Sequence, residues 1–280
     1  MKAKNLVLAV LALALASPVH AQTADELIAK NIKAKGGMDK IKAMKSLRAT
    51  GHMALGPEME APFVMTLKRP NEMRMEFTLQ GMTGVQAYDG KNAWAVMPFM
   101  GKKDPEAMSA DDTKMVAEQS DFDGPLVDYK EKGNVVELVG REQVEGVNAY
   151  KLKVTRKDGE IRYIYLDPDA YLEIKTEATR VIRGTPMDVE TTIGDYKEVG
   201  GVMMAHSIES GPKGSTQRQK MTVDKYEPNI DIPETSFAMP AGSAAAGDSS
   251  AAATASKGTA TAAPKPDGKG EVKPQTEKKK

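Results

Sequence analysis

Hydrophobic and polar side chains alternate over most of this sequence, and this alternation constrains the fold more than any other feature. It is clearest where Met73, Met75, Phe77 and Leu79 are separated by charged or hydroxyl-bearing residues. Successive side chains of a β-strand point to opposite faces, so the pattern predicts strands with one buried and one solvated face. The sequence therefore predicts a mainly β protein.

Turn residues divide the alternating segments into about eleven predicted antiparallel strands. Asp89-Gly90 and Asp158-Gly159 predict tight hairpin turns, and Gly184, Gly200-Gly201 and Gly211-Pro212 separate the later segments. A meander of this length curls on its own twist. The alternation therefore predicts a β-barrel, either closed or partly open.

Helical spacing occurs at the start of the domain. Thr23 and Glu26 have the spacing of a capping box, and an apolar stripe of Leu27, Ile28 and Ile32 follows. Gly36-Gly37 is predicted to end this helix, and a short second helix is predicted over 38–44.

A third helix is predicted in the middle of the chain, over 109–120. Ser109 would cap it, and its narrow apolar edge consists of Met115 and Val116. The loop after it, 122–129, is predicted to expose Phe122, Leu126 and Tyr129.

The two ends of the chain differ from the middle. Lys2 and Lys4 precede the apolar run 6–16, and Ala21 precedes an expected cleavage site, so residues 1–21 are predicted to be a secretory signal peptide. Residues 241–280 contain almost no large apolar side chain and are predicted to be a disordered tail, either simply solvated or a weak tether to anionic lipid head groups. One domain, 22–240, remains between them.

Composition excludes several classes of protein. The chain has no cysteine, which rules out disulfides, thiol catalysis and a lipoprotein anchor at Gln22, so we expect an exported product in the periplasm that is not lipid-anchored. With 39 basic and 39 acidic residues it has no electrostatic footprint for nucleic acid. Nucleophile-elbow, phosphate-loop and zinc-protease motifs are absent, so we expect no enzyme, no cofactor and no metal site. His52 and His206 each stand alone on a predicted strand.

Three short strings occur in order along the domain: Lys68-Arg69-Pro70-Asn71, then Asp89-Gly90-Lys91 followed by Trp94 and Pro98-Phe99, then Phe237-Ala238-Met239-Pro240. In a chain that opens with a helix, they resemble the LolA family of periplasmic lipoprotein carriers and its lipoprotein-sorting relatives, over residues 23–240. The resemblance implies an unclosed antiparallel β-barrel with helices over its mouth as a lid. It also implies an apolar concave face for acyl chains, and a latch role for Arg69, which would hydrogen-bond to the lid backbone.

On this basis we expect a monomeric carrier of lipoprotein acyl chains or other envelope lipids. Its partners would be the acylated lipoprotein or lipid cargo, an inner-membrane donor and an outer-membrane acceptor. The lid would present Leu27, Ile28, Ile32, Met115 and Val116. The acyl-chain cavity would be lined by apolar residues of the first five strands: Leu47, Met53, Phe63, Met65, Leu67, Met73, Met75, Phe77, Leu79, Val85, Trp94 and Val96.

Alternatives remain open from the sequence. The chain has 18 methionines, whose flexible side chains suit a variable apolar ligand but equally fill an ordinary core. Arg69 is either the latch or a solvated charge, and Trp94 is either a core anchor or a stacking surface. The rival functions are a non-transporting lipid sensor, a protein-binding scaffold and an envelope hydrolase, and the last would need histidines and carboxylates clustered in the cavity.

Overall fold

The computed structural model describes residues 22–56, 59–182 and 184–240, and the predicted signal peptide and tail lie outside them. The helices are α1 (Ala24–Ala34), α2 (Met38–Ala43) and α3 (Ala110–Gln119). The strands are β1 (Ser46–Gly56), β2 (Met59–Lys68), β3 (Glu72–Leu79), β4 (Met82–Tyr88), β5 (Ala93–Met97), β6 (Lys102–Ala107), β7 (Val135–Val144), β8 (Val147–Thr155), β9 (Ile161–Leu166), β10 (Glu173–Ile182), β11 (Thr185–Val199), β12 (Val202–Pro212) and β13 (Gln219–Pro228).

The strands form one antiparallel sheet in the order β6-β5-β4-β3-β2-β1-β13-β12-β11-β10-β9-β8-β7. Its first and last strands, β6 and β7, are not paired with each other, so the barrel is open. The predicted mainly β, unclosed antiparallel fold with helices at the start and in the middle is therefore confirmed. The sheet has 13 strands instead of about eleven.

The sequence did not predict β6, for a physical reason. This strand, Lys102–Ala107, pairs only with β5, and most of its side chains are exposed. Lysine and proline on an edge strand discourage pairing with another chain, so such strands lack the alternation of half-buried ones.

Helices α1 and α3 begin at the capping residues that the sequence predicted. Thr23 Oγ1 accepts a hydrogen bond from the amide of Glu26 at 3.2 Å, and Glu26 Oε2 accepts one from the amide of Thr23 at 3.1 Å. Ser109 Oγ accepts the amide hydrogen of Asp112 at 3.2 Å and so caps α3. Gly36 ends α1 with φ at 118°, and a Cβ there would lie 2.1 Å from the carbonyl oxygen of Gly201. Only glycine, which has no Cβ, allows the two backbones to lie this close together.

All three helices pack against the same side of the sheet, which we call the inner face. Leu27 of α1 packs in a cluster with Leu152 and Ile164, while Ile41 of α2 and Val116 of α3 pack in a second cluster. The second cluster also contains one buried inner-face side chain from each of β1 to β5. The helices thus cover both halves of the sheet.

The segment from 108 to 134, which we call the strap, contains α3 and joins β6 to β7. Because these strands are the two opposite edges of the sheet, the strap crosses the inner face. Leu126 in the strap is 1% exposed and packs with Leu27, Leu152 and Ile164. The prediction that Leu126 is exposed was wrong, because α1 and the sheet together enclose it.

The opposite side of the sheet, the outer face, is crossed by residues 229–240, which we call the outer segment. Phe237 of this segment is fully buried, and its carbonyl oxygen accepts a hydrogen bond from Trp94 Nε1 at 2.8 Å. Lys68 Nζ donates to the carbonyl oxygen of Ile232 at 3.1 Å, and Arg74 donates to that of Ser236 at 3.2 Å. The outer segment is therefore bound to β2, β3 and β5.

Candidate functional site

Most of the residues predicted for the cavity lie together on the inner face. The alternation along β1, β2 and β3 turns one apolar set toward the helices, and the ladder pairs Leu47 with Leu67 and Leu67 with Met73. Five of this set are buried and the others are half-buried. The inner-face members are Leu47, Met53, Phe63, Met65, Leu67, Met73, Met75, Phe77 and Leu79.

Three of the predicted cavity residues, Val85, Trp94 and Val96, lie on the outer face instead. Val85 is the ladder partner of both Glu76 and Val96, and the Trp94 ring lies 5.6 Å from the Arg74 guanidinium. Their placement in the cavity was therefore wrong. The sequence shows that β4 and β5 alternate, but it does not show which register faces the helices, and a shift of one residue exchanges the faces.

An apolar cavity of about 280 Å³ lies between α2, the strap and the inner face. Of the predicted set, Leu47 and Leu67 contribute to its wall. Sequence reasoning missed the rest of the apolar wall, although the alternation of β12 was a usable signal. These missed residues include Ile41, Met44, Ile193, Val202, Met204, Ile208 and Tyr226.

The cavity lies beside a seam in the sheet. β12 and β13 pair directly only at 207–210 with 219–222, and beyond that point side chains bridge the gap. Tyr226 donates its hydroxyl hydrogen to the carbonyl oxygen of Ala205 at 2.6 Å, and His206 Nδ1 donates to that of Val223 at 2.6 Å. Burial raises the pKa of Tyr226 to about 12, so its hydroxyl remains a donor. The lone His206 is thus a hydrogen-bonding residue of the seam.

A second apolar surface on the inner face contains no helix residue. Met53 and Phe63 form its buried part with Ala49 and Val223. Half-buried residues surround them, namely Met65, Met75, Phe77, Met221 and Tyr226. This methionine-rich surface continues the apolar wall of the sheet past the cavity, and its residues come from β1, β2, β3 and β13.

The predicted lid residues differ in their contacts. Leu27 and Ile28 are buried against β8 and β9, and Ile32 packs against both helix-covered clusters. Val116 is fully buried against Met73 and its neighbours, whereas Met115 is half-buried and lines a groove between α3 and the β9–β10 side of the sheet.

Arg69 connects α2 to the strap. Its Nε donates to the carbonyl oxygen of Met44 at 2.8 Å, and its Nη2 donates to that of Ile41 at 2.9 Å, at the end of α2. Nη1 and Nη2 donate to the two carboxylate oxygens of Asp123 at 2.8 and 2.5 Å. The Phe122 ring lies 4.8 Å from the guanidinium carbon. Since only 19% of the side chain is exposed, Arg69 is not a solvated charge.

Asp123 is the anionic centre of this connection. Its side chain is 5% exposed, and Lys42 Nζ lies 2.9 Å from the same carboxylate. Burial opposes ionisation of the carboxyl group, but the hydrogen bonds and charges of Arg69 and Lys42 outweigh it and hold the pKa of Asp123 at about 2. The ion pair is therefore fully formed at neutral pH.

Within the described parts of the chain, no group of three or more histidine, aspartate or glutamate side chains is arranged to hold a metal ion. None of the helices in these parts is long and apolar enough to span a membrane.

No family model matches the sequence, and no curated protein matches it. The structure of the chain does match solved structures of other proteins. An outer membrane lipoprotein-sorting protein domain from Vibrio parahaemolyticus superposes with a TM-score of 0.51 at 14% identity, covering 75% of this chain and 97% of that one. A DUF1329 family protein from Desulfovibrio piger gives 0.55 at 10% identity, covering 78% and 98%. A LolA superfamily protein from Nitrosomonas europaea gives 0.52 at 13% identity, covering 78% and 98%. At these identities the likeness concerns the fold alone, and the fold of this chain is LolA-like.

Proposed function

We propose that this protein is exported and carries acyl chains, of lipoproteins or of other envelope lipids, across the periplasm toward the outer membrane. The observation that carries the proposal is the apolar inner face, closed over by α2 and the strap and fastened through Arg69. A ligand chain would lie along Leu47, Leu67 and Met73 and extend over the methionine-rich surface. One of the structural neighbours is described as a lipoprotein-sorting domain, which supports the proposal.

The energy of binding would come from burial of the chain. Each methylene removed from water contributes roughly 0.8 kcal/mol, so a chain of about 14 carbons gains on the order of 10 kcal/mol before ordering costs. The cavity of about 280 Å³ is narrow, so loading would require the strap and α2 to move off the inner face. The side chains of Met65 and Met75 would adapt to chains of different length.

Release requires interactions that stabilise the closed state. Arg69 provides them, because its hydrogen bonds to α2 and its ion pair with Asp123 form only when α2, the strap and the sheet are in contact. Bonds of this kind contribute about 1–3 kcal/mol each. That is enough to compete with part of the burial energy of a chain without making the empty protein unable to open.

The first experiment asks whether the protein holds a lipid. The mature protein is purified from the periplasm and analysed by native mass spectrometry and lipid extraction. We expect co-purifying lipid or acylated peptide, and binding of a hydrophobic fluorescent probe after delipidation. A clean apoprotein that also fails to bind the probe would contradict the proposal.

The second experiment separates a carrier from a sensor or scaffold. Arg69→Leu removes the closing contacts, so a loaded variant should transfer a fluorescent acyl lipid to acceptor vesicles at least about tenfold more slowly than the wild type. Arg48→Leu, which changes an outer-face arginine, should transfer at the wild-type rate. Binding without transfer in the wild type would favour the sensor, and equal transfer by both variants would remove Arg69 from the mechanism.

A further inference from the structure

A second ion network holds α3 against the sheet, on the side away from Arg69. The Glu118 side chain is 3% exposed, and its Oε2 accepts a hydrogen bond from Arg162 Nη2 at 2.9 Å and contacts Arg180 Nη1. Arg162 lies in β9 and Arg180 in β10, so one carboxylate of the strap pairs with two guanidinium groups of the sheet.

Both arginines belong to the inner face. Arg162 stands two residues before Ile164, which packs against α1, and its ladder partners are Val154 and Ala178. Arg180 follows Ala178 by two residues on the same strand and therefore points to the same side. Glu118 and Arg180 also line a groove of about 390 Å³ between α3 and β10.

Outside the strap the two arginines differ. Arg180 has a second partner in Glu160 just before β9, at 3.5 Å, whose other oxygen lies 3.3 Å from Lys114 of α3. Among the described residues, Arg162 forms its ion pair with Glu118 alone. If the strap leaves the inner face, Glu118 leaves with it and Arg162 loses its carboxylate. A ligand that takes the place of the strap would cover Arg162 again, and a buried guanidinium without an anion is unfavourable, so the loaded state needs a replacement.

We propose that Arg162 and Arg180 form an anion subsite of the inner face, occupied by Glu118 in the closed state and by the anionic group of an acyl-chain ligand in the loaded state. This inference rests on the proposed function and narrows its substrate class. The ligand is an amphiphile whose chain lies on the apolar wall and whose carboxylate or phosphate replaces Glu118. Guanidinium groups suit both anions, because they donate paired hydrogen bonds.

The test compares pairs of ligands that share a sixteen-carbon chain, one with an anionic head group and one with a neutral head group. Hexadecanoate and methyl hexadecanoate, and hexadecyl phosphate and hexadecanol, each compete with a neutral fluorescent probe bound to the delipidated full chain. We expect each anion to displace the probe at a concentration at least about tenfold lower than its neutral partner does. A tenfold difference in affinity corresponds to the contribution of one charge-assisted hydrogen bond. A difference in one pair alone identifies carboxylate or phosphate as the preferred group.

Variants assign the difference to the subsite. Arg162→Gln should abolish the preference for anions and leave the affinity for the neutral ligands within about twofold, whereas Arg48→Gln should keep the preference. Glu118→Gln removes the competing carboxylate and should tighten the anions more than the neutral ligands. If Arg162→Gln fails to fold by circular dichroism, the double variant Arg162→Gln/Glu118→Gln, in which two neutral amides replace the ion pair of Arg162 with Glu118, takes its place.

The outcomes separate the two proposals. Equal displacement by charged and neutral ligands, or a preference that survives loss of Arg162, overturns the anion subsite and leaves the carrier intact. Failure of every ligand to displace the probe, together with failure of the probe to bind, overturns the carrier itself.

Discussion

Single charged side chains hold α2 and the strap to the sheet. Arg69 and Asp123 join α2 and the strap to the end of β2, while Glu118 joins α3 to β9 and β10. These contacts are directional, and their polar groups can hydrogen-bond to water instead once the partners separate. They therefore suit the proposed carrier, in which the contacts would form and break.

The ion pair of Asp123 should make stability depend on acidity in a defined range. The pKa of Asp123 is about 2 in the folded protein against an ordinary value of 3.8. Its contribution is therefore complete above pH 3.8 and is lost as the pH falls from there to about 2, and it amounts to about 2 kcal/mol. We expect the free energy of unfolding of wild type to fall more steeply than that of Asp123→Asn over this range.

Urea titrations of both proteins at several pH values measure the effect. Other carboxylates titrate in both proteins, so the difference between the two curves isolates Asp123. Curves that run parallel from pH 5 to 2 would show that Asp123 is not ionised by its partners as the structure indicates.

At the scale of elements, the two faces of the sheet are covered in different ways. On the inner face, α2 and the strap contact the sheet through buried apolar side chains and through ion pairs such as that of Asp123. On the outer face, the outer segment is held by the buried ring of Phe237 and by hydrogen bonds from Lys68, Arg74 and Trp94. In the proposed carrier the inner cover would move and the outer segment would remain in place.

Shortening Phe237 should separate stability from binding. Phe237→Ala leaves a cavity on the outer face and should cost about 3–5 kcal/mol of unfolding free energy. Binding of an acyl probe to the folded variant should be unchanged, because Phe237 lies on the face opposite to the proposed site. Denaturation followed by circular dichroism gives the first quantity and probe titration the second. A large loss of probe affinity in a variant that remains folded would contradict this division of the faces.

At the scale of the whole molecule, the pairing of β1 with β13 joins the two halves of the sheet. The ladder is long, from Leu47 with Pro228 to Ala54 with Lys220, and it shifts register after Thr50. A Cβ on Gly51 would lie 2.0 Å from the carbonyl oxygen of Thr222. The backbones can approach at this shift only because position 51 carries no side chain.

Replacing this glycine should weaken the whole domain. Gly51→Ala forces the β1 and β13 backbones apart and should cost about 3 kcal/mol or more. Gly56→Ala is the matched control in the same strand, because a Cβ there meets nothing within 4 Å, and it should cost less than about 1 kcal/mol. Thermal unfolding of both variants gives the comparison, and equal melting temperatures would refute the role of Gly51.

The sequence determined the local structure because its causes are local. Alternation marked most of the strands, the Asp89-Gly90 and Asp158-Gly159 turns do connect paired strands, and the residues at Thr23 and Ser109 do cap helices. The missed strand β6 has exposed charges and a proline in place of alternation, which is the signature of an edge and carries no periodic signal.

Only the tertiary structure decided which face each residue joins and which distant residues meet. Nothing local distinguishes the outward Trp94 from the inward Met73, because both stand in alternating strands and the register is set by neighbouring strands. The apolar wall from β11 to β13 depends on such meetings. Arg69 and Asp123 are 54 positions apart, and Glu118 is 44 positions from Arg162 and 62 from Arg180. Such contacts exist because the strap crosses from one edge of the open sheet to the other, which is a property of the assembled fold.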